Sequence, residues 1–282
     1  MTINGEGELS MNKRSPVAAI LRHGVLALMC IIAIIPLYWM VISSLKNESE
    51  IFTSSFFPKA PTFSNYIYAF SQMPIVRMIF NSFGISILMT LLQLATSLLA
   101  AYALVRWRFR GKGLIFSILS ITWLIPFQAI MIPNYVLVNN MGLNDSMLGI
   151  VLPFCVSTFA ILSLYQSFQS FPGVLIEAAC IDGMNDWDIL VRLIIPNIKS
   201  GIASLGIISF INAWNEYLWP MLITKKMENS PIQIGLKLFV NSDTNMWGSL
   251  MSATTVSCLP VLIIYLLLRR HIVDSFIKFG IK

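Results

Sequence analysis

The chain has 282 residues, of which 56% are apolar and only 11% charged, with a mean hydropathy of +0.75. A soluble domain ordinarily carries about 25% charged residues, so this chain has too little charge to cover a water-facing surface. A soluble enzyme, a nucleic-acid-binding domain and a disordered chain are thereby excluded, and the net charge of +6 bears on membrane orientation instead.

A helix needs about 20 apolar residues to cross a bilayer, and six segments meet or approach that length. Residues 1–23 form a polar N-terminal segment, and Gly24–Ser43 is the first expected span. Its length and the lack of a small-residue cleavage site argue for a retained span, not a signal peptide. Outside, residues 44–78 hold Pro58 and Pro61, then Tyr66, Ile67, Phe70 and Met73 at near-helical spacing, which predicts a short interfacial helix. The remaining expected spans are 79–105, 114–132, 147–164, 202–223 and 250–268, with a tail at 269–282. Pro36, Pro126, Pro133, Pro153, Pro220 and Pro260 fall inside or at the ends of these spans, where each can kink a helix and free a carbonyl that a neighbour or water must satisfy.

With both ends inside, the cytoplasmic face holds 13 Lys and Arg residues and the outer face 6, which favours that orientation. The cluster Arg106, Arg108, Arg110 and Lys112 contributes most and reads as a topological anchor. Cys30, Cys155, Cys180 and Cys258 have no C-x-x-C spacing, so neither a disulfide framework nor a metal site is supported, and buried small side chains are expected.

The inner loop 165–201 is the longest. Pro172 suits a helix start and Gly183 a left-handed stop, with Glu177, Ala178 and Ala179 between them. The adjacent alanines would form a narrow face allowing close approach of another backbone. A second helix, N-capped by Asn185 or Asp186, carries Trp187, Leu190, Val191, Ile194 and Ile195 and an Asp188–Arg192 pair, and is expected to end or bend at Pro196. Glu177, Asp182, Asp186 and Asp188 outnumber Arg192 and Lys199. The resulting helix–turn–helix either meets a basic soluble partner or packs back on its own bundle.

Glu177-Ala178-Ala179, Gly183, Leu193, Ile195 and Pro196 are spaced as in the "EAA loop" of permease subunits of bacterial ABC importers, which this chain resembles. Trp214-Asn215-Glu216-Tyr217-Leu218-Trp219-Pro220, Asn81-Ser82, Ala101-Tyr102-Ala103 and Leu259-Pro260 are similar to the smaller, six-span permease of the maltose-type carbohydrate class. The tail departs from it, with Asp274-Ser275 where relatives often have glycines.

The resemblance implies an all-α membrane protein with six transmembrane helices and a cytoplasmic helix-turn-helix coupling loop. It further implies two copies of an ABC ATPase docking at Glu177, Ala178, Ala179, Asp182 and Gly183, a second and different permease, and an extracytoplasmic sugar-binding protein. The membrane implied is the bacterial inner membrane, and the mechanism is alternating access.

An acid at membrane depth usually faces a cavity or partner. Glu216, with Asn215, Tyr217 and Trp214, is therefore a candidate for the wall or gate of a translocation path, the alternative being an interfacial aromatic belt. Gln93, Thr96, Gln128 and Asn134 are weaker candidates, and His23 and His271 read as interfacial. No phosphate-binding Gly-rich loop, nucleophile triad or His-Glu-x-x-His occurs, so no enzymatic activity, cofactor or metal is expected. A permease for glycerol phosphate or a polyamine stays open at this point, as does a stand-alone carrier or channel.

Overall fold

The computed structural model describes residues 16–53, 55–240 and 246–280, with side chains described within 20–266. The expected N-terminal segment as far as Ser15, the run Asn241-Ser242-Asp243, whose composition signals a turn, and the last two residues lie outside it. Among the described residues every regular element is helical. In chain order these are α1 (Pro16–Ser44), α2 (Ser64–Gln72), α3 (Ile75–Arg106), α4 (Lys112–Thr122), α5 (Phe127–Asn140), α6 (Met147–Val151), α7 (Thr158–Gln169), α8 (Gly173–Ile181), α9 (Asp186–Asp188), α10 (Ile195–Asn215), α11 (Leu218–Ile223), α12 (Ile232–Leu236) and α13 (Trp247–Gly280).

Four unbroken helices are long and apolar enough to cross a membrane: α1, α3, the run Asp186–Asn215, and α13. The count reaches six when α4 with α5, and α6 with α7, are each taken as one bent crossing. α3 lies at the centre and packs against α7 and α10, while α1 packs on α13. α1 is otherwise open to its surroundings, and its aliphatic side chains from Ile20 to Leu37 are exposed.

Proline explains where the expected spans break. The third is cut by a 99° bend between α4 and α5, with Pro126 holding extended backbone (φ −66°, ψ 138°) at the start of α5. Its ring disfavours helical geometry at Ile125, so the first helix stops short. The fourth bends by 47° after Pro153, and Ser157 restarts it by accepting the Ala160 N–H at 3.3 Å. The fifth ends at Asn215 instead of running on to Ile223, and Glu216 is extended (ψ 126°). Pro220 lacks the N–H that a continuous helix would give to the Glu216 carbonyl, and its ring would clash there.

Pro196 does not end a helix, which removes one of the two outcomes expected from the sequence. α9, a π-helical stretch Ile189–Ile194 and α10 form one continuous helix of 30 residues. The wider turn directly before Pro196 absorbs the ring without a break. The second helix of the inner loop is thus the start of the fifth crossing.

Between α1 and α3, α2 and the residue after it bury Asn65, Ala69 and Met73, while Ile67 and Phe70 are exposed, so the four residues picked out by spacing do not share a face. Lys46 is fully buried: its Nζ donates to the Ser55 carbonyl at 2.7 Å and sits 4.4 Å from the Trp39 ring centre. Asn65 donates to the Ser44 and Lys46 carbonyls, and Asn81 to those of Glu228 and Ser230. Cys30 and Cys180 are exposed, which corrects the expectation that the cysteines are buried.

Candidate translocation path and coupling loop

The breaks at Pro153 and Pro220 lie beside each other, and between them is a cavity of about 420 Å³. One face of α10 supplies Ser209, Asn212 and Glu216, at i, i+3 and i+7. α3 supplies Met89 and Gln93, the α6–α7 break supplies Phe154 and Ser157, and the rim carries Trp123 and Phe159. Breaking two helices inside a membrane exposes backbone groups that must be paired. Gln93 donates to the Phe154 carbonyl at 2.8 Å and Thr96 to the Cys155 carbonyl at 2.9 Å. Glu216 Oε1 accepts the Trp219 N–H at 3.2 Å, capping the restart of the chain as α11. The same breaks that kink the helices therefore create the polar lining.

Of the four path residues expected around Glu216, only Glu216 lines this cavity. Trp214 is buried (3% exposed) against Phe83 and Phe210. Helix geometry puts it about 160° around α10 from Asn212 and Glu216. Asn215 is exposed and bonds back to the Ile211 carbonyl at 2.9 Å. Tyr217 sits under the Lys237 ammonium, 5.2 Å from its ring centre. Gln128 is exposed and Asn134 half-buried, and neither lines the cavity. Sequence reasoning missed Ser157, Ser209 and Asn212. The signal for the last two was present in the spacing, since Ser209, Asn212 and Glu216 recur at i, i+3 and i+7.

Above the break, Asp145 joins two segments. In the left-handed region (φ 54°), its carboxylate accepts the backbone N–H groups of Lys225 and Lys226 and the Asn229 amide, and its own N–H donates to the Ile223 carbonyl. The bond from Lys225, with those from Lys226 and Asn229, holds this carboxyl below the usual carboxylate range.

At the inner end, α8 begins after Pro172 and stops at Gly183, whose φ is +80°. The Met184 N–H returns to the Ala179 carbonyl at 3.0 Å, closing the left-handed cap that the glycine allows. Ala178 and Ala179 do not share a face: Ala179 is buried against the bundle, and Ala178 is exposed with Glu177 and Asp182. Successive helical residues lie about 100° apart, so an adjacent pair cannot form one narrow face. Val174, Leu175 and Ile181 are exposed on the same short helix.

The acidic surplus of the loop is partly consumed inside the chain. Asp186 accepts from Arg106 Nε at 2.7 Å, Tyr102 Oη at 3.2 Å and Trp107 Nε1 at 3.2 Å, and Asp188 pairs with Arg192 at 3.2 Å. Arg106 also donates to Cys180 Sγ at 3.3 Å. Arg106 thus holds the loop against the end of α3, a role that charge counting alone did not reveal. Glu177 and Asp182 remain as the acids presented outward.

A central long helix, broken crossings that wall a polar cavity and an outward-facing inner loop helix define a membrane permease subunit. Residues 93–278 match the family of binding-protein-dependent transport system inner membrane components, and the chain belongs to that family. It is 28% identical to the lactose transport system permease of Rhizobium radiobacter, over 91% of this chain and 94% of that one. It is 29% identical to the sulfoquinovosyl glycerol transport system permease of Agrobacterium fabrum, over 93% of each. A chain of a bacterial ABC transporter that imports the acidic polysaccharide alginate superposes with a TM-score of 0.72 at 26% identity, covering 90% of this chain and 96% of that one.

Proposed function

We propose that this chain is the permease subunit of an ATP-driven importer of a carbohydrate. It works beside a second, different permease, with two ATPase subunits on the inside and a sugar-binding protein outside. The observation that carries this reading is the stance of α8. Ala179 fastens it to the bundle, Arg106 and Asp186 secure the following turn to α3, and Val174, Leu175, Glu177, Ala178 and Ile181 are left facing outward. A short, rigidly tethered helix with an uncovered mixed face is suited to receive force from a soluble subunit and pass it to the crossing that follows. Because α9 and α10 are one helix, a push that the α8 turn passes to α9 reaches Asn212 without a further break.

In this reading the ends face the cytoplasm, in keeping with the 13 to 6 distribution of basic residues. Alternating access follows as α10 rocks against α3 and opens or closes the cavity. The carbohydrate assignment draws on the relatives and on a lining of hydroxyl and amide groups suited to sugar hydroxyls.

The test is affinity purification of the chain from its native membrane in mild detergent, with mass spectrometry of what accompanies it. Glu177→Lys is expected to remove the ATPase while leaving the chain inserted and the second permease bound. An ATPase that still copurifies, with normal uptake, would exclude α8 as the docking element.

A further inference from the structure

The cavity also carries information about the charge of what passes it, and the relatives leave that point open, because their names include both lactose and an acidic polysaccharide. Its eleven lining residues include no Lys, Arg or His, and their only ionisable side chain is Glu216. The carboxylate is fixed in place, because Oε1 is bound to the Trp219 N–H at the break. Its second oxygen makes no hydrogen bond within the described residues and is available to the cavity. Beside it stand Asn212, Ser209, Ser157 and Gln93, all neutral. At the rim, the rings of Trp123 and Phe159 lie 6.1 Å apart at 31°, both well exposed, and offer apolar faces of the kind that stack on a sugar ring.

Resting on the importer reading above, we propose that this subunit's part of the path is an anion-excluding filter. It passes neutral polyhydroxylated cargo and repels cargo bearing carboxylate, sulfonate or phosphate groups, with Glu216 as the specificity-determining residue. A fixed negative charge in a cleft with low-dielectric walls acts on a passing charge more strongly than it would in bulk water. The same carboxylate accepts hydrogen bonds from sugar hydroxyls, which an anion lacking them cannot return. A phosphorylated or uronic-acid cargo would need a cation in this cavity, and this chain provides none there.

The experiment reads the local potential directly, without knowledge of the cargo. In the complete importer purified in detergent, with Cys30, Cys155, Cys180 and Cys258 replaced by serine, Asn212→Cys is labelled with cationic, neutral and anionic methanethiosulfonate reagents. Ser170→Cys, on the exposed inner surface, is the reference. The cationic-to-anionic rate ratio at position 212 is expected to exceed that at position 170 by at least tenfold. Glu216→Gln keeps an oxygen for the Trp219 N–H and should bring the ratio to within about threefold of the reference while leaving the neutral reagent's rate unchanged. A ratio near the reference with Glu216 present, or one unaffected by Glu216→Gln, overturns the filter and leaves the path reading standing. Failure of all three reagents to label position 212, both with ATP and without it, shows the cavity closed to solutes in every state and removes both.

Discussion

Single side chains at this chain's helix breaks do work that elsewhere falls to regular backbone bonding. Asp145 satisfies three N–H donors from the segment after α11 and so joins that segment to the α5–α6 loop. Its carboxyl titrates below the ordinary value, so its contribution to stability is complete above about pH 4 and is lost as pH falls through the depressed folded value. The thermal midpoint of the purified complex should therefore drop on acidification below about pH 4 by less in Asp145→Asn than in the parent, with the variant already lower at neutral pH. Gly183 is the other decisive residue, since φ +80° is strained for any side chain although open space surrounds the position. Gly183→Ala should destabilise the turn by about 1 kcal/mol from backbone strain alone. Limited proteolysis of the inner loop would detect it as faster cutting next to α8.

Elements behave less independently than their apolar lengths imply. The Arg106–Asp186 contact ties the start of α9 to α3, and its groups are 31% and 39% exposed, so solvent screens much of the attraction. Arg106→Ala should therefore cost only about 1 kcal/mol in stability. Its larger effect should be on transmission: basal ATP hydrolysis of the assembled importer stays, while stimulation by cargo falls several-fold. Equal stimulation in the variant and parent would show that the contact is a topological anchor and nothing more. That the chain carries long apolar helices was legible in the sequence, because apolar run length is a local property, but where three of the expected spans break was not. The continuity of α9 and α10 was not, because Pro196 ordinarily ends helices and only the π-helical turn before it lets the helix pass.

At the scale of the molecule, three apolar clusters run from the α2 end, through the break region, to the loop that carries α8. Trp219 anchors the middle one. It is fully buried, with Phe127 and Phe154 against its ring and Nε1 donating to the Gly149 carbonyl at 3.1 Å. Gly149 has no room for a Cβ, which would collide with the Leu143 carbonyl, so this junction is packed to backbone contact. Trp219→Ala should destabilise the fold by about 3–5 kcal/mol and appear as low yield and early thermal aggregation of the complex. A variant with unchanged midpoint would mean that the break region is not part of the stabilising core. α1, exposed along most of its length, stands apart from all three clusters until its end packs on α13 and α2.

What the sequence by itself determined about this protein follows from composition, run length and spacing. These make it a helical membrane protein, mark the left-handed stop at Gly183 and single out Glu216 as an acid within an apolar run. Only the tertiary structure decided which neighbours of Glu216 share its cavity. A helix turns about 100° per residue, so Trp214 and Asn215 are carried away from it while Asn212 and Ser209, one and two turns back, are brought to it. The structure also decided that Asp186 is paired with Arg106, 80 residues earlier in the chain. That choice depends on how the end of α3 meets the inner loop, a contact between distant segments that no local pattern encodes.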